Sequence, residues 1–299
     1  MTVYLPTMKQ LQYLVALHDH GHFKRAADAC YVTQSTLSAG IRELEILIGT
    51  TLVERTRRVV RFTALGERIV EKARRVLREA DELGAMVRAA GKPLSGELRM
   101  SVIPTIAPFL LPKMLARLRR ERPDLKLYLR EETSAAACES LNRGHVDCVL
   151  LALPYACGDV DSATLFADRF FLAFPAGEAP PGYPVPEVIA PDRLLLLEDG
   201  HCLKDHALSA CNRPDLRANS AMLGTSLHTL VQMVDNGLGI TMLPQMAIEA
   251  GILDHTDIDT RPLDSDHDWR TIALVWRKGS PRAEEFRMLA DIFRKHQGD

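Results

Sequence analysis

The segment Leu194 to Cys211, LLLLEDGHCLKDHALSAC, holds the residues best suited to covalent chemistry. Its four leucines suit a buried strand, Glu198-Asp199-Gly200 breaks it, and Cys202 falls where a short helix would begin. A helix N-terminus draws a thiol toward thiolate. A protonated His201 and Lys204 add to that pull, whereas Glu198, Asp199 and Asp205 oppose it, so the expected sign is a lowered thiol pKa. Cys211 follows nine positions later. If the spacer is helical, a rise of about 1.5 Å per residue separates the two by roughly 13 Å, and a disulfide needs Cα atoms within about 7 Å. Joining them must unravel the spacer, which makes the pair a candidate switch.

The other four cysteines lack this setting. Cys30 and Cys148 lie at apolar positions and read as packing residues, Cys138 falls on a helix, and Cys157 sits in a glycine-containing loop open to solvent. Without tight spacing or a secretion signal they are expected to be reduced thiols. No CxxC or Cys/His cluster suggests zinc, and the alternating His18, His20 and His22 have no carboxylate or thiol to complete a ligand set. No metal and no cofactor are expected.

These elements belong to a chain of 299 residues, long enough for a small domain plus a larger bilobed one. Its 46% apolar and 25% charged content is that of an ordinary globular protein. The net charge of −2 hides an asymmetry, because the first 90 residues hold 14 Lys/Arg against 10 Asp/Glu. A basic front end suggests a polyanionic partner. No apolar run approaches the ~20 residues of a membrane span, and the amino end has no signal pattern, so a cytoplasmic protein with no membrane partner is expected.

At the front, Met8, Leu11, Leu14, Val15 and Leu17 recur at helical spacing up to Gly21, and Phe23, Ala26, Ala27 and Cys30 mark a second short helix. Thr33 is the expected N-cap of a third, with Leu37, Ile41, Leu44 and Ile48 on its buried face. Two short helices with a tight turn suit a helix-turn-helix. Gln34, Ser35, Thr36 and Ser38 can reach base edges or phosphates without bulk, with Arg42 farther along the same helix. Residues 52–62 then read as two strands around a basic tip, a wing whose Arg55, Arg57, Arg58 and Arg61 would meet phosphates; the alternative is a solvated charged hairpin.

Ala26-Ala27, TQSTLS, Ile41, Leu44-Glu45, Gly49 and the Leu52, Arg55, Thr63, Gly66 tail resemble the DNA-binding domain of LysR-type transcriptional regulators over residues 8–66. The expected fold class is accordingly α+β multidomain: a winged helix-turn-helix (1–66), a linker helix (67–90), a hinge (91–96) and a bilobed α/β regulatory domain (97–299). Along the linker, Ile69, Ala73, Val76, Ala80, Leu83, Val87 and Ala90 alternate by four and three, a coiled-coil seam that predicts a homodimer; packing on its own head is the alternative. Beyond the hinge, strands and helices alternate as βαβαβ (97–153), and the chain returns through Thr271–Trp276 and a helix over 281–296. Lobe I takes residues 97–164 and 271–299 and lobe II 165–270, with a cleft between them. This arrangement is similar to LysR-type effector domains and periplasmic solute-binding proteins.

Within the family, EDGHCLKD followed by Cys211 resembles the redox segment of the OxyR subfamily, and IPTIAPFLLP, GTSLHTL, GLGITMLP and RTIALVWRKGSP extend the likeness across nearly the whole chain. The resemblance implies hydrogen peroxide as the signal, Cys202 as the peroxidatic thiol and Cys211 as its resolving partner. It also implies Thr105 and Thr133 as peroxide-binding hydroxyls, with His201, Lys204 and Asp205 shaping the site. Lys204 stands where arginine is expected, keeping charge and losing the planar fork. The partners implied are double-stranded DNA, a second copy of the chain, a homotetramer by family likeness, and RNA polymerase as a candidate. The function expected is a peroxide-responsive transcriptional regulator and not an enzyme. Two alternatives stand beside it: a regulator of the same family with a small-molecule effector in the cleft, and a thiol peroxidase, which would need neither wing nor linker.

Overall fold

The computed structural model describes residues 5–55, 60–89, 93–178, 193–210, 223–263 and 268–294. The chain divides into two compact units, 1–87 and 88–299, each with its own core. The first holds α1 (Met8–His20), α2 (Phe23–Ala29), α3 (Gln34–Ile48), a hairpin of β1 (Val53–Arg55) and β2 (Val60–Phe62), and most of α4 (Ala64–Ala89). A Thr7/Gln10 capping box starts α1 and a left-handed Gly21 closes it. Leu14, Leu17, Leu37, Ile41, Leu44 and Leu52 are fully buried, each worth about 1.5–3 kcal/mol of transfer free energy. Gly66 is obligatory, since a Cβ there would lie 2.2 Å from the Leu52 carbonyl oxygen while Thr63 Oγ1 accepts the Gly66 N–H at 2.9 Å.

The linker helix departs from the simple seam. Val70 and Ala73 are buried, and Val70 with the partly buried Ile69 joins the head's own core. Buried Arg74 fixes this arrangement: it pairs with Asp19 and Glu71 and meets His18 Nδ1 at 3.0 Å, tying α4 to α1. Val76 and Leu83 stay solvent-exposed, at 42% and 66%. The amino-terminal part of the expected seam therefore serves the head.

The second unit is built on a seven-stranded sheet: β3 (Gly96–Val102), β4 (Leu125–Glu131), β5 (Cys148–Leu153), β6 (Val160–Pro175), β9 (Thr241–Pro244), β10 (Ile258–Pro262) and β11 (Trp269–Arg277). Strand order is β10-β6-β11-β5-β3-β4, with β9 also on β6. The parallel trio β4-β3-β5, with α5 (Ala107–Glu121) and α6 (Ser134–Arg143) as crossovers, is the expected βαβαβ unit. Strand β6 runs on past it: its first part pairs with β11 and its last residues with β9 and β10. A second, two-stranded sheet of β7 (Leu196–Leu197) and β8 (Leu223–Gly224) carries α7 (Cys202–Ala210), followed by α8 (Leu227–Asp235) and α9 (Gln245–Glu249); α10 (Ala283–Arg294) closes the chain.

One expectation about the thiols is overturned. Cys138 and Cys157 form a disulfide, with Cα atoms 5.1 Å apart, and Cys157 is buried instead of open to solvent. Helix α6 and the loop after β5 lie side by side beyond the ends of parallel strands, a proximity that the separation of 19 residues conceals.

Candidate thiol site and nucleic-acid interface

Three connections leave the carboxyl ends of the parallel strands and meet beside α7. Thr105 follows β3, Thr133 follows β4 and Pro154-Tyr155 follow β5, the position where open α/β sheets gather ligands. Gly200, at φ +97, makes the turn that delivers α7, and its Cα faces Thr133, whose Oγ1 would lie 3.7 Å from an added Cβ. Cys202 is the first residue of the helix and is 2% exposed. Its backbone N–H donates to Ser134 Oγ at 3.2 Å, so the first turn of α7 is capped from the neighbouring helix. Behind it, buried Arg270 at the head of β11 donates from Nη1 to Thr105 Oγ1 at 2.8 Å and from Nη2 to the Thr105 carbonyl at 2.9 Å. Its Nε pairs with Asp168 of β6 at 3.0 Å.

The electrostatics correct the sequence reading. Burial pushes the Cys202 thiol up; the Ser134 hydrogen bond, the Arg270 charge and backbone hydrogen bonding at Ala152 pull it back without prevailing. The resting thiol is thus held protonated inside a shell prepared for its anion. His201 contributes no cation, because burial lowers its pKa, Glu198 opposing. Lys204 is buried and spends its charge on Asp199, Nζ to Oδ1 2.8 Å. Asp205, one turn on, acts with Cys202 on Tyr155, whose phenol is pushed up by burial and then by those two charges.

The fold therefore gathers Thr105, Thr133, His201, Cys202, Lys204 and Asp205 around one end of the parallel strands. Cys211 lies outside the described residues. The segment before it is helical through Ala210, about 12 Å along the axis from Cys202 at 1.5 Å per residue. Sequence reasoning missed Ser134, Arg270 and Asp168. A signal existed for the arginine: a charge opening the largely apolar strand RTIALVW requires a buried partner.

In the first unit, Thr33 caps α3 as expected, accepting from Thr36 N at 3.2 Å; its hydroxyl also meets Ser35 Oγ and Thr36 Oγ1, both at 2.8 Å. Gln34 and Arg42 are exposed and Ser38 half-buried. Glu45 Oε1 accepts the N–H groups of Leu52 and Val53 at 2.9 and 3.0 Å, fixing the start of the hairpin to α3. The Arg55 backbone pairs with Val60, whereas the Arg55 side chain and the whole of Arg57 and Arg58 lie outside the described residues.

Two family models match the chain: the bacterial regulatory helix-turn-helix of the lysR family over residues 8–67 and the LysR substrate binding domain over residues 91–298. Among curated relatives, the HTH-type transcriptional regulator EstR of Acinetobacter baylyi is 40% identical over 97% of both chains. The DNA-binding transcriptional dual regulator OxyR of Escherichia coli K12 is 39% identical over 96% of this chain and 94% of its own. Among solved structures, a full-length OxyR variant from Pseudomonas aeruginosa is similar at a TM-score of 0.74 and 33% identity, covering 97% of this chain and 95% of that one. A peroxide-bound OxyR mutant from Corynebacterium glutamicum is similar at 0.64 and 32%, covering 99% and 94%.

Proposed function

The chain belongs to the LysR family of transcriptional regulators, and from that premise we propose that it senses hydrogen peroxide at Cys202 and transmits the signal to double-stranded DNA held by α3 and the wing. The observation that carries this is the shell of Cys202: a buried thiol beside Ser134, with that hydrogen bond, the Arg270 charge and the backbone hydrogen bonds all favouring its anion. Such a shell lowers the barrier to a step in which negative charge grows on sulfur and then on oxygen. As the thiol gives up its proton, its sulfur attacks one peroxide oxygen, the O–O bond breaks, and the departing hydroxide takes up that proton to leave as water, giving Cys202 sulfenic acid. In this reading Thr105 and Thr133 hold the two oxygens, and Arg270, whose Nη1 donates to Thr105 Oγ1 at 2.8 Å, orients the first hydroxyl.

Cys211 then attacks the sulfenic sulfur, water leaves, and a disulfide forms. Closing it requires residues 203–210 to unwind, which removes Leu203, Ala207, Leu208 and Ala210 from the core. Exposed Val76 and Leu83 on α4 supply the homodimer contact, further pairing gives a tetramer, and the oxidised form alters contact with RNA polymerase. The protein turns over one peroxide per reduced thiol pair, so it is a sensor and not a thiol peroxidase, and it acts in the cytoplasm.

The match of residues 91–298 to the LysR substrate binding domain keeps a second reading in view, a small-molecule effector. A cavity of about 330 Å³ lined by Phe109, Lys113, Phe166, Asp168 and Glu249 would be its seat. Footprinting on the target promoter decides between them. Peroxide is expected to change the footprint of the wild-type chain, and mass mapping to find a Cys202–Cys211 bridge; a peroxide response that survives Cys202→Ser overturns the sensing site. For the DNA module, Arg57→Ala with Arg58→Ala is expected to weaken specific and unrelated DNA alike, whereas Gln34→Ala should weaken the preferred site most. Identical behaviour of the two variants would overturn the division between wing and recognition helix.

A further inference from the structure

Among the contacts that reach helix α7 from outside its own segment, two brace its first turns. At its head, the Cys202 N–H rests on Ser134, the first residue of α6. One turn later, His206 Nε2 lies 2.9 Å from the carbonyl oxygen of Pro154, in the loop between β5 and β6. The two supports are joined to each other by the Cys138–Cys157 disulfide. Cys138 lies on α6 one turn beyond Ser134, and Cys157 lies three residues beyond Pro154. Asn142 of α6 adds a hydrogen bond to the Cys157 carbonyl at 3.4 Å. Both sulfurs are buried, yet Ala156 and Gly158, on either side of Cys157, are exposed, so this loop is the approach for a reagent.

We propose that Cys138 and Cys157 are a second thiol–disulfide couple, distinct from the Cys202 site, that clamps both supports of α7 and so sets the rate at which Cys202 reacts with peroxide. Closed, it holds Thr133 and Ser134 in register with the Cys202 sulfur. Open, α6 and the 154–159 loop separate, the Ser134 contact loosens, and the thiol loses a group that favours its anion. The gain is one of pre-organisation, since a reacting pair held at fixed geometry avoids an ordering cost in the transition state. The regulator then reads two quantities, the peroxide concentration and the poise of the thiol pool.

The couple closes at the expense of hydrogen peroxide. One thiolate attacks a peroxide oxygen, hydroxide leaves and is protonated to water, and the second thiol displaces a further water from the sulfenic sulfur. Two thiols and one peroxide give one disulfide and two waters. It opens by exchange with a dithiol, through a mixed disulfide, leaving two protein thiols and an oxidised dithiol.

This inference rests on Cys202 being the peroxide-reactive thiol, and the test separates the two. In the full chain carrying Cys211→Ser, oxidation stops at the sulfenic acid, and its rate is read by stopped flow against pH. Three preparations are compared: bridge closed, bridge opened with dithiothreitol and desalted without air, and Cys138→Ser with Cys157→Ser. Mass mapping is expected to find the Cys138–Cys157 linkage, and glutathione buffers to titrate it reversibly. The Cys202 rate is expected to fall at least about threefold in both open forms, with its pH midpoint moved upward, a shift that a purely structural brace would not produce. Free thiols at every poise, or equal rates and midpoints in closed and open forms, overturn the inference while leaving Cys202 as the sensor. No Cys202 oxidation in any preparation overturns both.

Discussion

Cys148 and Cys202 are both buried thiols, and burial pushes both up, yet the other influences on Cys148 are mixed in sign whereas those on Cys202 all act one way. Around Cys148, Asp147 and Glu285 raise it further while Arg282 and Arg277 lower it; Arg282 is itself occupied by both carboxylates, at 3.1 Å from Asp147 and 2.6 Å from Glu285. Around Cys202, everything other than burial acts downward: a hydroxyl, backbone hydrogen bonds and Arg270. Cys148 sits mid-sheet at the start of a strand that is buried along most of its length, whereas Cys202 starts a short helix at the sheet's open end. Cover alone therefore does not separate an inert thiol from a reactive one. The difference lies in which protonation state the neighbours are arranged to receive.

The largest expected effect follows directly. Cys202→Ser should abolish sulfenic-acid labelling and the peroxide-dependent footprint, whereas Cys148→Ser should leave both intact and cost only about 1 kcal/mol of stability. Peroxide labelling at Cys148 in the native wild-type chain would break the comparison.

Second comes the guanidinium. Arg270→Gln removes the positive charge that acts to lower the Cys202 thiol and leaves Thr105 without its donor, and should slow the oxidation of Cys202. It also strands Asp168 in the core, a loss of about 3–5 kcal/mol for a broken buried pair. Asp168→Asn keeps Arg270 and separates the two: it should lower the melting temperature while leaving the rate closer to wild type. Equal slowing in both variants would mean that packing, and not the charge on sulfur, sets the rate.

What the sequence could and could not disclose follows from how far apart the partners lie. Local signals carried the head well: Thr33 caps α3, Gly21 closes α1, and the 3–4 spacing of Leu37, Ile41 and Leu44 names a buried face. Strands β3, β4 and β5 and helices α5 and α6 fall in the βαβαβ alternation expected over 97–153, because each element is bounded by its own turn. The thiol itself was legible from a broken leucine run. Its sign was not, because a helix N-terminus and flanking charges are visible in one dimension while desolvation is a property of the packed sheet. Ser134 and Arg270 reach Cys202 only through the topology, α6 beside α7 and β11 beside β5. The Cys138–Cys157 bridge is hidden for the same reason.

A smaller effect tests the neutral side of the Cys202 site. Burial lowers both His201 and His206 below the ordinary 6.5, and among the described residues the His206 Nδ1 is buried without a partner. Below about pH 6.5 the unfolded chain takes up protons that these folded imidazoles refuse. Their contribution is thus complete above the ordinary value and is lost as pH falls through the depressed folded values. The melting temperature of the sensing unit should drop on acidification below 6.5, and less so in His206→Gln. No histidine is among the charges acting on Cys148, so its packing should not share in that loss.

The smallest effect is expected at the inert thiol, and it asks whether charge or cover matters more there. Asp147 accepts the Arg99 N–H at 2.8 Å and pairs with Arg282, and after burial it is the largest influence holding Cys148 protonated. Asp147→Asn keeps the hydrogen-bonding shape, deletes the negative charge and frees part of the Arg282 field. The Cys148 thiol should fall, but burial still stands first among the causes, and the strand offers no hydroxyl or backbone cradle for a departing oxygen. Alkylation of Cys148 by a small neutral reagent should therefore rise by no more than about twofold in the folded protein, with peroxide labelling still confined to Cys202. A large rise in peroxide labelling at Cys148 would show that neighbouring charge alone makes a buried thiol reactive, and the prepared shell of Ser134, Thr105 and Arg270 would lose its standing as the feature that distinguishes the two sites.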